Sequence, residues 1–253
     1  MPWPQPASRR QDRGGLRRRL VRVGVAVGAA VAVFLLAALG FELSLPGVAD
    51  AEARVSQIVR AHHGSLGQPP VPAKLGLAVV AVEDENFNAN ILVDVFEGAA
   101  RAALASLNTR GDPGGSTIEQ QLAKQLYAQG TGLPASLREM GLGVKLSLSY
   151  SKPEILTMYL NAVYFGHHYW GYVDAAKGYF GVYPARLDWA QAAMLAGLPQ
   201  APSAYDPLRH FALAKQRQYH VLEQLVVNHD LSRAQALAAY REPLNLRGHG
   251  SRP

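Results

Sequence analysis

The chain has 253 residues, 49% of them apolar, and no cysteine. That is enough for one sizeable domain, and it excludes disulfides, thiolate nucleophiles and cysteine-ligated zinc. The formal charge of +6 does not indicate a nucleic-acid surface: residues 1–22 hold seven arginines and one aspartate, 7 − 1 = +6, so the remainder sums to zero and the excess reports a basic tail.

Directly after residues 1–22, Val23 to Phe41 form a run of 19 residues without a charge. As a helix the run spans about 28 Å, close to the thickness of a hydrocarbon core. Arginines on its N-terminal side alone predict a cytoplasmic N-terminus and an exported remainder. The segment 23–41 is read as an uncleaved transmembrane anchor. A cleaved signal peptide competes, but the run is long for one and no small-x-small site follows it directly. Residues 42–71, with Pro46, "AHHGSLGQ" and "PPVP", read as a connector holding a short helix near 50–61.

From residue 72 to 245 the pattern predicts one helical domain, without strand alternation or internal repeats. Boxes of the S/D-x-x-E/Q type mark helix starts at Ser116/Glu119, Ser136/Glu139, Ser151/Glu154 and Asp188/Gln191. The last helices are expected near 210–228 and 231–241, and 246–253 as a disordered tail.

Three places could carry chemistry. The apolar run Ala78 to Val82 ends in Glu83, Asp84 and Glu85. Read as continuing helix, it sets Glu83 one turn from both Val79 and Phe87, where partial desolvation would lift its pKa toward the range of a general base; the bland alternative is a surface acid. In "GDPGGSTIEQQLAKQ" a Gly-Gly turn feeds a helix start, a natural anion site, with Gln120, Gln121 and Lys124 within two turns; a capped helix with a solvated lysine explains it equally. Glu139 is the third, and its capping box with Ser136 accounts for it without catalysis. No G-x-G-x-x-G, Ser/His/Asp set or metal-ligand set is present, and the adjacent His62 and His63 read as loop residues.

Taken in order, five stretches resemble the motifs of the peptidoglycan glycosyltransferases, which occur as monofunctional transglycosylases and in class A penicillin-binding proteins. "AVVAVEDENF" is similar to A-x-x-x-x-E-D-x-x-F, "GGSTIEQQLAKQ" to G-G-S-T-I-T-Q-Q-L-x-K-N, and "SKPEILTMYLNAVYFG" to S-K-x-x-I-L-x-x-Y-L-N-x-x-Y-F-G, while "AAKGYFG" and "AAMLAGLPQAPSAYDP" resemble the fourth and fifth. The resemblance covers about residues 72–228 and implies a mainly α, lysozyme-like fold of two lobes behind a single N-terminal transmembrane helix. The smaller lobe, within 88–115, would dip into the membrane, and no transpeptidase domain is expected to follow.

The resemblance also implies the reaction. The 4-hydroxyl of an acceptor GlcNAc attacks C1 of a donor MurNAc and expels undecaprenyl pyrophosphate, polymerising lipid II into glycan strands. Glu83 would be the general base, with Asp84 orienting it. Ser116, Thr117, Gln120 and Gln121 would line the donor side with Phe87, Lys124 would hold the pyrophosphate, and Glu139 would act on it through a divalent cation, Mg²⁺ or Mn²⁺, or assist the acceptor. No residue is otherwise assigned to a metal. The implied partners are lipid II, the growing strand, the membrane and cell-wall synthesis proteins, with no nucleic acid, and the implied location is the cytoplasmic membrane with the catalytic domain on its outer face. Departures from the family pattern stand at Asn90, Ile91 and Leu92, at Glu119 in place of threonine, and at Ala135 and Ser136 in place of Arg-Lys. They favour an alternative, a weak or inactive relative that binds lipid II or a synthase partner. A lytic enzyme on a similar fold is a third reading. Tyr164, Trp170 and Tyr179 could touch sugars, though core packing suits each better.

Overall fold

In a computed structural model, residues 13–88, 116–127 and 133–247 are described. The lobe expected within 88–115 lies, from residue 89 on, outside them, as do Asn90, Ile91, Leu92 and the last six residues of the expected tail. Every regular element among the described residues is helical, and only the Tyr164–Trp170 bridge pairs backbone in β fashion.

The chain divides into two units, residues 1–46 and 47–253. The first carries α1 (Arg13–Ser44), longer at both ends than the expected 23–41. Its stretch Val21–Ser44 is long and apolar enough to cross a membrane, 24 residues or about 36 Å. Val33, Phe34 and Leu36 are 66–71% exposed, so the helix is apolar all round, as a span requires.

The second unit begins earlier than the expected domain. Part of the 42–71 stretch is built into it, because α2 (Ala51–Ala61) is amphipathic and buries Val55 and Val59 while packing against the helix Lys152–Ala162. Asp50 accepts from the Tyr127 hydroxyl at 2.7 Å, and the Arg54 guanidinium lies 4.5 Å from the centre of the Tyr127 ring. The following loop is held by Asn161, which accepts from the Gly67 N–H at 2.8 Å and donates to the Gly67 carbonyl at 2.9 Å. Asn161 is buried, so truncating it strands two backbone groups. Asn161→Ala should therefore lower stability by about 2 kcal/mol, read as a shift in the urea midpoint at unchanged slope; a change under about 0.5 kcal/mol would contradict it.

The remaining helices are α3 (Ala73–Glu83), α4 (Ile118–Leu126), α5 (Leu133–Ser149), α6 (Lys152–Ala162), α7 (Tyr172–Phe180), α8 (Trp189–Gly197), α9 (Phe211–Val227) and α10 (Arg233–Arg241). The centre is α8, rich in alanine and buried from Ala190 to Gly197. Its small side chains let α3 and α9 pack close against it and each other, while α4 packs on α5 and α6.

Two of the four expected caps form as expected. Glu154 accepts from the Ser151 N–H at 2.7 Å, and Asp188 accepts from the Gln191 N–H at 2.7 Å. The other two do not. Thr117, not Ser116, caps α4, accepting from the Gln120 N–H at 3.3 Å. Ser136 lies inside α5, which begins at Leu133 with Pro134 in its first turn, where a missing N–H costs nothing.

Candidate active site

The end of α3 and the start of α4 meet through two adjacent acids. Helix α3 stops at Glu83 because Asp84 turns extended, φ −162° and ψ 83°. The Asp84 carboxylate then accepts from the Ile118 N–H at 3.0 Å, taking one of the free donors at the start of α4. Thr117 takes a second. The expected anion site at this helix start is therefore already supplied with an acid and a hydroxyl from the chain itself. Asp84 and Thr117 are both buried and act as supports for the site.

Glu83 is held from two sides, by Gln121 and by Arg217. Its Oε2 accepts from Gln121 Nε2 at 3.0 Å, and Gln121 Oε1 accepts in turn from the Tyr159 hydroxyl at 2.8 Å. Its Oε1 lies 3.7 Å from Arg217 Nη2, too far for a hydrogen bond, and the two side chains are 10% and 11% exposed. That oxygen is buried without a hydrogen-bond partner. Burial pushes the Glu83 carboxyl above its ordinary value, and Gln121 and then Arg217 oppose the push. The same burial, with Glu83 nearby, raises the Tyr159 hydroxyl well above its usual range, so it stays protonated as the donor that orients Gln121. Neither Tyr159 nor Arg217 was singled out in the sequence reading. Arg217 sits in a helix of mixed polar residues with nothing local to mark it.

Other expected residues fall differently. Phe87 is not one helical turn from Glu83, because residues 85–88 form a turn after α3 ends. It is 2% exposed, beneath the Lys152 ammonium at 4.7 Å from the ring centre, so it packs the core. Ser116 is half-buried, and its carbonyl accepts a long bond from Gln121 Nε2 at 3.4 Å. Glu119 does not complete a cap; it is 1% exposed and paired with Lys152 at 2.8 Å. Of the aromatics, Tyr179 is fully buried, while Trp170 stacks 4.0 Å from His62 and is tilted against Tyr164.

Helices α4 and α5 pack closely at Gly143, where an added Cβ would lie 3.2 Å from Gln120 Cγ. A small cleft is lined by Thr117, Glu119 and Gln120 from one helix and by Met140, Gly143, Val144 and Ser147 from the other. One turn onward from Gln120 is Lys124, and one turn back from Gly143 is Glu139. Lys124 is exposed and Glu139 half-buried. Ala135, where a cation was looked for, is buried, whereas Ser136 is exposed.

Among the described residues no group of three or more His, Asp or Glu side chains could hold a metal ion.

Residues 53–226 match the family model described as Transglycosylase. A provisionally named transglycosylase from Cupriavidus necator is 38% identical over 178 residues, covering 70% of this chain and 77% of its own length. Penicillin-binding protein 2a of Streptococcus pneumoniae is 41% identical over 150 residues, 59% of this chain and 20% of that protein. Penicillin-binding protein 1A of Neisseria gonorrhoeae is 38% identical over 176 residues, 69% and 22% respectively. The chain thus spans about a fifth of these two penicillin-binding proteins. The crystal structure of penicillin-binding protein 1A from Haemophilus influenzae aligns with TM-score 0.37 and 33% identity, covering 41% of this chain and 16% of that one. The matched region starts within α2, in keeping with the packing of that helix into the folded unit.

Proposed function

This chain belongs to the transglycosylase family and is a peptidoglycan glycosyltransferase, and we propose that Glu83 is the general base with which it polymerises lipid II. The acceptor 4-hydroxyl oxygen forms a bond to C1 of the donor sugar as the C1–oxygen bond to the lipid diphosphate breaks. The bonding pair leaves with the diphosphate, and the hydroxyl proton passes to Glu83. An alcohol is a poor nucleophile at neutral pH, so a placed carboxylate contributes about 10²–10⁴-fold. The single observation that supports this assignment is a buried carboxylate, lifted above its ordinary pKa, with one oxygen bonded to Gln121 and the other unbonded.

On the donor side, the exposed ammonium of Lys124 offers charge to the departing diphosphate, with Gln120 on the same stripe of α4. Glu139 would hold a divalent cation against the diphosphate; bound there, the cation would neutralise developing negative charge. The test is polymerisation of fluorescent lipid II in detergent with Mg²⁺ or Mn²⁺, wild type beside Glu83→Gln. Polymer from the wild type alone supports the assignment. The absence of Arg-Lys at Ala135 and Ser136 favours a second reading, a weak or inactive relative. For that reading the same assay gives lipid binding without polymer.

The stretch Val21–Ser44 would anchor the chain, with residues 47–253 outside the cytoplasmic membrane; the arginines of residues 1–22 support that orientation. Because the chain lacks cysteine, Glu242→Cys at an exposed position gives a single reporter. It should react with an impermeant maleimide on intact spheroplasts, and protection until lysis would reverse the topology.

A further inference from the structure

From the geometry around the carboxylate, we infer that Arg217 is a positioning residue for proton transfer, its guanidinium holding the Oε1 edge of Glu83 while Gln121 holds the Oε2 edge. This rests on the reading of Glu83 as base. Arg217 reaches the site from α9, outside every motif of the sequence. Its stem fills the space beside Gly197, where an added Cβ would meet Arg217 Cγ at 2.7 Å, and its Nε donates to the Gly197 carbonyl at 3.3 Å. The backbone of α8 therefore fixes where the guanidinium lies.

That position is unusual for a purely structural ion pair. A buried pair normally recovers its desolvation cost through close, hydrogen-bonded contact. Here Nη2 stops 3.7 Å from Oε1, and that oxygen keeps no hydrogen bond at all. At this distance the attraction between charges remains substantial in a poorly solvated site, yet the oxygen's lone pairs stay unclaimed. Arg217 thus offsets part of the burial penalty on the ionised carboxylate while leaving one oxygen open to accept a proton.

Among the described residues, the groups facing Glu83 come from separate helices. Helix α4 contributes Gln121, α6 contributes Tyr159 through Gln121, and α8 contributes the Gly197 carbonyl that holds Arg217. On α9, His220 has its pKa lowered by burial and then by Arg217, and Tyr205 lies within electrostatic reach of Arg217. Arg217 is thus the cation that opposes the effect of burial on Glu83. Without it, the carboxyl would hold its proton to higher pH and the base would be lost over part of the neutral range.

The test uses the full chain in detergent. The Glu83 carboxyl is followed by ¹³C NMR, its signal identified by its absence in Glu83→Gln, and kcat/KM on fluorescent lipid II is measured against pH. In Arg217→Gln both the Glu83 titration and the acid limb of kcat/KM should move to higher pH by roughly one unit. Arg217→Lys, which keeps the charge, should restore most of the difference. Arg217→Met, which keeps the stem, is the second charge-removing variant if glutamine does not fold. Loss of rate with an unmoved titration and acid limb would overturn the role of Arg217, leaving Glu83 as base if Glu83→Gln is inactive. Polymerisation by Glu83→Gln at the wild-type rate would instead remove the base assignment itself.

Discussion

Replacing Glu83 with glutamine should cut polymerisation by about 10²–10⁴-fold while leaving the fold and lipid II binding intact. Glutamine has nearly the same shape, and its carbonyl oxygen can accept from Gln121 Nε2 as Oε2 does at 3.0 Å. What is lost is the group that takes the proton. Two opposed effects act on stability: Arg217 loses its counter-charge at 3.7 Å, while the burial penalty on the ionised carboxylate disappears. The folded-state pKa of Glu83 is raised above its unfolded value, chiefly by burial. Folding therefore favours the protonated form: the penalty for a buried charge is absent below the unfolded pKa and complete once pH has risen through the folded pKa. Glutamine carries no such penalty. The melting temperature of Glu83→Gln minus that of wild type should accordingly grow as pH rises through that window. A variant that is inactive and also strongly destabilised at neutral pH would indicate a structural role for Glu83.

Lys152→Met should be the most damaging single change to stability, at about 3–5 kcal/mol. Glu119 is 1% exposed, with Oε1 2.8 Å from Lys152 Nζ and Oε2 buried without a hydrogen-bond partner. Removing the lysine would strand a buried carboxylate and strip the cation from the Phe87 ring. Replacing both partners, Glu119→Leu with Lys152→Met, should recover most of that loss, since the buried carboxylate is removed together with its cation. Urea unfolding of the three variants separates these cases. The pair ties the first turn of α4 to the first residue of α6 and to the turn that carries Phe87, so the single variant should also loosen the contact between Glu83 and Gln121. A Lys152→Met variant within about 1 kcal/mol of wild type would contradict this account.

The parts of the site that were legible in the sequence are those carried by local pattern. Glu83, Asp84 and Gln121 lie in short motifs, and the structure brings them together at the junction of α3 and α4. Capping boxes succeeded at Ser151 and at Asp188, where the Gln191 amide also donates to the Leu244 carbonyl without losing its cap role. They failed where tertiary structure intervened. Glu119 is claimed by Lys152, and Asp84 supplies the α4 N-terminus from another helix. At Ser136 the box was overridden locally by Pro134, which suits the first turn of a helix already under way. The place of Phe87 was misread because helical spacing was carried past Glu83, where the chain turns. Arg217 and Tyr159 were out of reach for another reason: each matters only through a partner brought close by the packing of separate helices. The same holds for the close approach of α4 to α5 at Gln120 and Gly143.

The most direct measurement is the pH profile of kcat/KM for lipid II with the wild-type enzyme, taken beside the residual rate of Glu83→Gln. A desolvated carboxylate that must be ionised to act gives an acid limb above the ordinary glutamate range, and that limb vanishes from the variant's residual activity. An acid limb at the ordinary carboxylate value, or one that persists unchanged when residue 83 is glutamine, would mean that some other group takes the proton.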